Sequence, residues 1–311
     1  MSSARPERAT IAVAICTYNR QGPLAKLLEA IVACAARLGE RGAVGVVVVD
    51  DSPDGNAREV VEHFRERFEL GIHYRISGQQ NISIARNLAI ETAANLSEWI
   101  AMTDDDCEPV AEWLEALLEV QQRTDADAVT GTMVRRVPEG SPKWITDEPF
   151  LELGLTRTED GAELPAGSTF NSMISSRWLQ EHPKIRFKPA LGVVGGEDMV
   201  FYRSAHAAGL KIHFSERGFV YENEPASRAT LAYQLRCFFW HGNSSYITCV
   251  DNGVHPLRMF LHGANSMRKA AVRPLSRLLH GRRPQLRYGL ASVLHALGQM
   301  SGPFGIRVNH K

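Results

Sequence analysis

The sequence of 311 residues has few cysteines, and no two of them stand at a C-x-x-C spacing. Their number is odd, so complete pairing into disulfides would leave one thiol over. The five are Cys16, Cys34, Cys107, Cys237 and Cys249. Neither a disulfide framework nor a cysteine zinc site is therefore expected, and a reducing compartment fits best.

Long apolar runs are also missing. No stretch approaches the eighteen or so residues of a membrane span, and the first residues lack the charged, apolar and small-residue order of a signal peptide. Apolar residues still make up 44% of the chain, which is ample for a core. We expect a globular protein in the cytoplasm.

Acidic residues are absent after Asp251, although the whole chain has a formal net charge of zero. The segment 253–311 is therefore a basic tail, and leucines are interleaved with its cations. Its arginines and lysines are Arg258, Arg268, Lys269, Arg273, Arg277, Arg282, Arg283, Arg287, Arg307 and Lys311. We expect amphipathic helices that bind an anionic surface, with the inner face of the cell membrane as the leading candidate and no nucleic acid as a partner. The alternative is that these helices pack on the acidic body and neutralise it.

Strand and helix patterns alternate four times in the first part of the chain. Apolar runs at 10–16, 44–49, 72–76 and 99–102 are each followed by a helical pattern. This alternation predicts an α/β fold with a doubly wound, mostly parallel sheet, extended by a basic helical tail. Further strands are expected at 128–134 and 168–174, and the segments 211–214 and 219–221 are expected to complete the core.

Polar clusters stand where three of these strands end, at 17–20, 50–54 and 104–106. Ligands of doubly wound sheets bind at the carboxyl ends of the strands. The clusters therefore predict one site. The alternative for Asp50 and Asp51 is a turn, because Asp-Ser-Pro-Asp-Gly is good turn chemistry.

Three adjacent carboxylates, Asp104, Asp105 and Asp106, form the most unusual of these clusters. Their mutual repulsion is best compensated by a cation. Alternate residues of an extended segment share a face, so Asp104 and Asp106 can hold Mg²⁺ or Mn²⁺ together. The alternative is an acidic cap for the helix that follows Pro109.

Five short motifs in one order resemble the family 2 glycosyltransferases, which have the nucleotide-diphospho-sugar transferase fold called GT-A. They are Ile-Cys-Thr-Tyr-Asn-Arg at 15–20, Val-Val-Asp-Asp-Ser at 48–52, Ala-Arg-Asn at 85–87, Thr-Asp-Asp-Asp at 103–106 and Gly-Gly-Glu-Asp at 195–198. The resemblance covers about residues 10–245. It implies a nucleotide-sugar half at about 10–130 and an acceptor half at about 131–252, which together form one domain over residues 1–252.

The resemblance implies a donor site for a nucleoside-diphosphate sugar. Thr17, Tyr18 and Asn19 would line the nucleotide pocket. Asp51 would accept from the base, Asp50 would support the turn, and Arg86 would approach the base and phosphates. Asp104 and Asp106 would hold the ribose and the metal, with Asp105 beside them.

The resemblance places the catalytic base at Asp198 and the acceptor beside Glu197. The alternative is that these two carboxylates cap the following helix. Trp240 and His241 can contact the acceptor or serve only as packing. The segment 234–240 only loosely resembles the Gln-x-x-Arg-Trp segment of processive synthases, which favours a single-addition enzyme.

The leading hypothesis is a metal-dependent inverting glycosyltransferase that acts on a hydroxyl acceptor, a saccharide or lipid-linked saccharide. A base that deprotonates the acceptor during in-line attack inverts the anomeric carbon without a covalent intermediate. One alternative is a sugar-phosphate nucleotidyltransferase, although the first turn offers only Arg20 and Gly22 for a phosphate loop. Another is a catalytically silent scaffold that binds a membrane or a glycan.

Overall fold

The computed structural model describes residues 8–152 and 155–308. The chain divides into two compact units. The first comprises residues 8–134, 155–192 and 201–222, and the second comprises residues 135–152, 193–200 and 223–308. The subdivision expected at residues 130 and 252 stays a prediction.

Strands and helices alternate through the first two thirds of the chain, and three long helices follow. In order they are β1 (Ala9–Thr17), α1 (Gln21–Leu38), β2 (Gly42–Asp50), α2 (Arg58–His63), β3 (Ile72–Ile76), α3 (Ile82–Ala94), β4 (Trp99–Met102), β5 (Cys107–Pro109), α4 (Trp113–Thr124), β6 (Ala128–Arg136), α5 (Trp144–Asp147), β7 (Glu163–Leu164), β8 (Ser172–Ser175), α6 (Ser176–Glu181), α7 (Glu197–Ala207), β9 (Ile212–Asn223), α8 (Leu231–Asp251), α9 (Pro256–Leu279) and α10 (Leu286–Ser301).

The first unit is built on one sheet with the strand order β3-β2-β1-β4-β8-β6-β9-β5, and β7 pairs with β9. Strands β3, β2, β1 and β4 are parallel to one another. Beyond β4 the pairing is antiparallel from β4 to β8, from β8 to β6, and from β9 to β5 and β7. The expected α/β sheet with parallel crossovers is therefore confirmed.

One strand, β9, runs through both segments that we expected to complete the core, 211–214 and 219–221. Its first residues pair with β7 and its last with β5. The Asn171 amide also donates to the Gly218 carbonyl, at 2.7 Å, and holds the middle of the strand to its neighbours.

The sheet is buried on both faces, as continuous apolar runs predict. In β1, Ile11, Val13 and Ile15 pack with α1 and α4 on one face. Ala12 and Ala14 point to the other face and pack with α3, α6 and α7. Each fully buried isoleucine or leucine contributes about 1.5–3 kcal/mol, so these two layers hold the sheet between the helices.

The second unit has its own small core of aromatic rings. Phe150 makes edge-to-face contacts with Trp144, Phe238 and Tyr288, with centroids 5.1, 5.7 and 5.5 Å apart. Beside it, the buried Arg135 guanidinium pairs with the Glu224 carboxylate. A buried charge needs such a partner to be tolerated.

The C-terminal helices of the second unit pack closely through small residues. A Cβ on Gly298 of α10 would lie 2.1 Å from the Phe239 carbonyl oxygen of α8. On Gly263 of α9 it would lie 2.8 Å from Met300 Cγ of α10. Helix α10 therefore contacts both α8 and α9. No helix in the described ranges is long and apolar enough to cross a membrane.

Candidate active site

Three strand ends of the first unit bring the predicted donor-site residues to one edge of the sheet. Thr17, at the end of β1, is the register partner of Asp50, at the end of β2. On the other side of β1, Met102 of β4 is the partner of Ala14, and the acidic triplet starts two residues after Met102. Parallel pairing therefore places the polar clusters side by side.

The acidic triplet is held by two arginines and one threonine. Asp105 accepts from Thr17 Oγ1 at 2.8 Å and from Arg20 at 2.9 Å. The same Arg20 nitrogen donates to Asp106 at 2.8 Å, and Arg86 donates to Asp104 at 2.9 Å. Three adjacent carboxylates thus face two guanidinium groups.

Within the triplet the three carboxylates differ in burial. Asp105 is buried, whereas the Asp104 and Asp106 side chains keep 40% and 17% of their exposure. Burial raises the pKa of Asp105 to about 6, Arg20 opposes the rise, and Asp106 adds to it. Burial alone would lower the pKa of Arg20, but the charges of Asp105 and Asp106 raise it above its ordinary value. Asp105 therefore anchors the loop, and the other two carboxylates face outward.

Asp50 and Asp51 are neighbours with different surroundings. The Asp50 carboxylate accepts from Ser52 N, Ala57 N and Tyr74 Oη at 2.8–2.9 Å. Burial opposes ionisation of Asp50, yet these hydrogen bonds lower its pKa. Asp50 therefore spans the turn after β2.

Asp51 keeps an acceptor available. Its Oδ1 accepts from Ser77 Oγ at 2.6 Å and from Gln79 N at 3.2 Å. Its Oδ2 accepts no hydrogen bond from any residue in the described ranges. The residue as a whole is buried, but Oδ2 is not among the buried atoms without a partner. This oxygen is therefore accessible, and its empty acceptor position suits an N–H donor from a ligand.

Arg86 is oriented by the first turns of α3. Asn81 caps this helix, because its Oδ1 accepts from Ser83 N and Ile84 N. Asn87 exchanges two hydrogen bonds of 2.8 and 2.9 Å with the backbone of Phe187. The Phe187 ring then lies 5.9 Å from the Arg86 guanidinium, so packing helps to fix the direction of this cation.

The turn after β1 carries the remaining donor-site candidates. Asn19 has φ +53°, in the left-handed region that asparagine tolerates better than most residues. Its Oδ1 accepts from Asn56 Nδ2 at 2.8 Å, which ties this turn to the turn after β2. Tyr18, half-buried, lies between Asn19 and Thr17.

The predicted catalytic carboxylate lies in the second unit, at the start of α7. Gly195 and Gly196 precede it with φ of +87° and +86°, a conformation that glycine adopts without strain. Asp198 is half-buried, and its Oδ1 accepts from Met199 N at 2.7 Å. Its Oδ2 accepts no hydrogen bond from the residues that the structure describes. Glu197, beside it, is buried.

Trp240 of α8 packs on this glycine turn. Its Nε1 donates to the Val194 carbonyl at 3.0 Å. A Cβ on Gly195 would lie 2.4 Å from the Trp240 ring, so only glycine fits under it. His241 is adjacent, with ring centroids 4.5 Å apart. Trp240 therefore holds the glycine turn that leads into α7, whether or not it also contacts a ligand.

The predicted site residues thus form two groups, one in each unit. Thr17, Tyr18, Asn19, Asp50, Asp51, Arg86, Asp104, Asp105 and Asp106 belong to the first, and Glu197, Asp198, Trp240 and His241 to the second. Within the described ranges, no three His, Cys, Asp or Glu side chains form a ready metal-ligand set. Arg20 belongs to the polar cluster 17–20 that predicts the site, but its bridge between Asp105 and Asp106 was not predicted.

Comparison with known proteins gives a consistent result. The model of glycosyl transferase family 2 matches residues 12–182. ExoM of Rhizobium meliloti, a succinoglycan biosynthesis protein, is 32% identical over 305 residues, which are 97% of this chain and 95% of ExoM.

Two solved structures share the architecture. TarS 1–349 of S. aureus in complex with UDP superposes with a TM-score of 0.53 at 15% identity, over 96% of this chain and 92% of that one. GalNAc-T7 with UDP, GalNAc and Mn²⁺ gives 0.53 at 15% identity, over 78% and 51%. At this identity they support the fold alone, which is the GT-A fold expected from the motifs.

Proposed function

This chain belongs to glycosyl transferase family 2, and from that premise we propose that it is a metal-dependent inverting enzyme. It moves a sugar from a nucleoside-diphosphate sugar to a hydroxyl acceptor. Family membership favours this reaction over a nucleotidyltransferase and over a silent scaffold. The observation that carries the proposal is the open Oδ2 of Asp51, next to a sheet edge that also presents Arg86 and the acidic triplet.

Asp51 accepts a hydrogen bond from the base of the donor in this proposal. Thr17, Tyr18 and Asn19 line the same pocket, and Asp50 holds its turn. Arg86 attracts the base and the phosphates, since a guanidinium matches phosphate oxygens well. Support comes from TarS, which was crystallised with UDP and with UDP-GlcNAc.

Asp104 and Asp106 are the residues that would hold Mg²⁺ or Mn²⁺. They fit such an ion, because one or two carboxylates suffice when diphosphate oxygens and water complete the shell. The side chains of Asp104 and Asp106 keep 40% and 17% of their exposure, and adjacent carboxylates favour a cation, which supports this assignment. The bound ion supplies positive charge where the diphosphate leaves. GalNAc-T7, solved with Mn²⁺, has the same fold.

Asp198 removes the proton of the acceptor hydroxyl as that oxygen attacks the anomeric carbon. Its Oδ2 accepts no hydrogen bond from the described residues, so this oxygen is available to accept the proton. Glu197, Trp240 and His241 lie on the acceptor side. Attack on the face opposite the leaving diphosphate inverts the anomeric configuration.

The acceptor that we propose is a saccharide or lipid-linked saccharide of cell-surface glycan synthesis. ExoM supports this choice by its part in succinoglycan biosynthesis. The matching location is the cytoplasm, with peripheral association at the inner face of the membrane through residues 253–311. Residues 10–130 then serve the donor and residues 131–252 the acceptor.

Turnover of a panel of nucleoside-diphosphate sugars tests the proposal, with free nucleoside diphosphate as the readout and a membrane extract as the source of acceptor. Asp198→Asn should keep donor binding and lose turnover by about 10²–10⁴-fold, the usual contribution of a general base. Asp147→Asn, an exposed carboxylate of the same unit, is the matched control. Equal activity of Asp198→Asn and the control would remove the assigned base.

A further inference from the structure

Exposed apolar side chains are concentrated in one part of this protein. Fourteen large apolar side chains are exposed in the described ranges, and eleven of them lie between residues 257 and 306. Scattered exposed leucines are normal on a soluble protein, but a cluster of them marks an interaction surface.

Five of the eleven form a stripe along α9. They are Leu257, Leu261, Val272, Leu275 and Leu279. At 3.6 residues per turn, these positions fall within about a sixth of a turn of one another. We call them the outer stripe of α9. Its exposure is high, with 62% at Leu275 and 79% at Leu279.

The outer stripe lies on the side of α9 opposite its packed face. Met259, Gly263 and Ala270 are the buried residues of the helix. They fall about half a turn from the stripe. Gly263 faces α10 through Met300 and the Ala296 carbonyl. The helix therefore docks with one face and presents a second apolar face to solvent, which an ordinary surface helix does not.

The charged side chains of α9 and of the chain after it are all basic. No acidic residue follows Asp251 in the sequence. Arg268 stands on the stripe itself, midway between Leu257 and Leu279, and its guanidinium donates to Asn265 Oδ1 at 3.2 Å. Lys269 and Arg258 stand on one flank and are exposed. Apolar residues bordered by Lys and Arg are the pattern of a helix that lies in a lipid interface.

We propose that the outer stripe of α9 binds flat on an anionic lipid surface. The stripe enters the boundary between headgroups and acyl chains, while Arg268, Lys269 and Arg258 reach the lipid phosphates. The charge pattern favours lipid over a second copy of the chain. In a twofold dimer with antiparallel stripes, Arg268 of one copy would lie against Arg268 of the other, because it is the midpoint of the stripe, and like charges repel. The inference rests on the proposed peripheral location but not on the proposed reaction.

Co-sedimentation with vesicles tests this surface. The full chain is mixed with vesicles of phosphatidylcholine alone, or with phosphatidylglycerol as roughly one third of the lipid. We expect binding only to the anionic vesicles, with weakening as salt rises from about 0.1 to 0.5 M. Leu275→Ser/Leu279→Ser and Leu257→Ser/Leu261→Ser should each lower the partition coefficient at least about tenfold, because both ends of a flat helix contribute. Arg268→Glu/Lys269→Glu should lower it by a similar factor.

Ile76→Ser is the matched control, since it removes an exposed apolar side chain of the first unit, which carries no residue of the stripe. It should bind vesicles as the unchanged chain does. Circular dichroism melts should be unaltered in the stripe variants, because their side chains are already exposed. Titration with a nucleoside diphosphate separates this inference from the proposed reaction, because the stripe variants should keep the donor affinity of the unchanged chain.

Three results would overturn the assignment. One is vesicle binding by the stripe variants equal to that of the unchanged chain. Another is equal binding to neutral and anionic vesicles. The third is that the unchanged chain does not bind vesicles but forms a dimer in sedimentation velocity, and that the stripe variants are monomeric. A second copy of the chain would then be the occupant of the stripe.

Discussion

Asp105→Asn should change how the stability of this protein depends on pH. Asp105 is buried and accepts hydrogen bonds from Thr17 and Arg20. Burial raises its pKa from 3.8 to about 6, so the folded state binds this proton more tightly than the unfolded state. The contribution of the proton to stability is complete below about pH 4 and is lost as the pH rises through about 6.

The magnitude follows from the two pKa values of Asp105. They differ by about two pH units, and each unit corresponds to about 1.4 kcal/mol. The free energy of unfolding of the unchanged chain, relative to Asp105→Asn, should therefore fall by at most about 3 kcal/mol between pH 4 and pH 7. Asparagine has the shape of the carboxyl group and no proton to exchange.

Urea unfolding followed by circular dichroism, at intervals from pH 4 to pH 7.5, measures this difference. Asp160→Asn is the matched control with the opposite sign. Burial opposes ionisation of Asp160, but its hydrogen bond to Arg123 lowers its pKa, so its contribution is present at neutral pH and lost as the pH falls. The free energy of unfolding of the unchanged chain minus that of Asp105→Asn should fall with pH. A value that stays constant or rises with pH would refute the account of the triplet.

Three further substitutions test two contacts of the site residues and one contact within the sheet. Trp240→Phe removes the hydrogen bond to Val194, which should lower the free energy of unfolding in urea by about 1 kcal/mol. It should also lower kcat more than donor affinity. An equal loss of kcat and donor affinity would speak against a positioning role. Tyr74→Phe removes a donor to the Asp50 carboxylate and should cost about 2 kcal/mol; a neutral effect would mean that the turn does not need it. Gly131→Ala puts a Cβ 2.0 Å from a carbonyl oxygen of β9 and should cost about 3 kcal/mol or more, a result that unaltered melting would contradict.

The first half of the fold was readable from the sequence because its strands are continuous apolar runs with polar ends. β1 and β2 are buried on both faces, so their composition alone marks them. The continuity of β9 was less readable, because the polar residues 215–218 interrupt its apolar pattern, whereas the structure has one strand over Ile212–Asn223.

The chemistry of the site was less readable than its location. Arg20 acts on a carboxylate 85 residues further along the chain, a distance that no local pattern spans. The different surroundings of Asp50 and Asp51 depend on Tyr74 and Ser77, which come from the next strand and its end. Contacts of this kind exist only after the sheet has formed.

Titration calorimetry of nucleoside diphosphates in the presence of Mn²⁺ tests the central claim most directly. We predict that at least one nucleoside diphosphate binds and that a chelator weakens the binding. Asp51→Asn and Asp106→Asn should each weaken it at least about tenfold, because the first loses a hydrogen-bond acceptor and the second a metal ligand. Asp54→Asn, an exposed carboxylate of the same turn as Asp51, should bind as the unchanged chain does. Failure of every nucleoside diphosphate to bind, or equal binding by all three variants, would contradict the donor site described above.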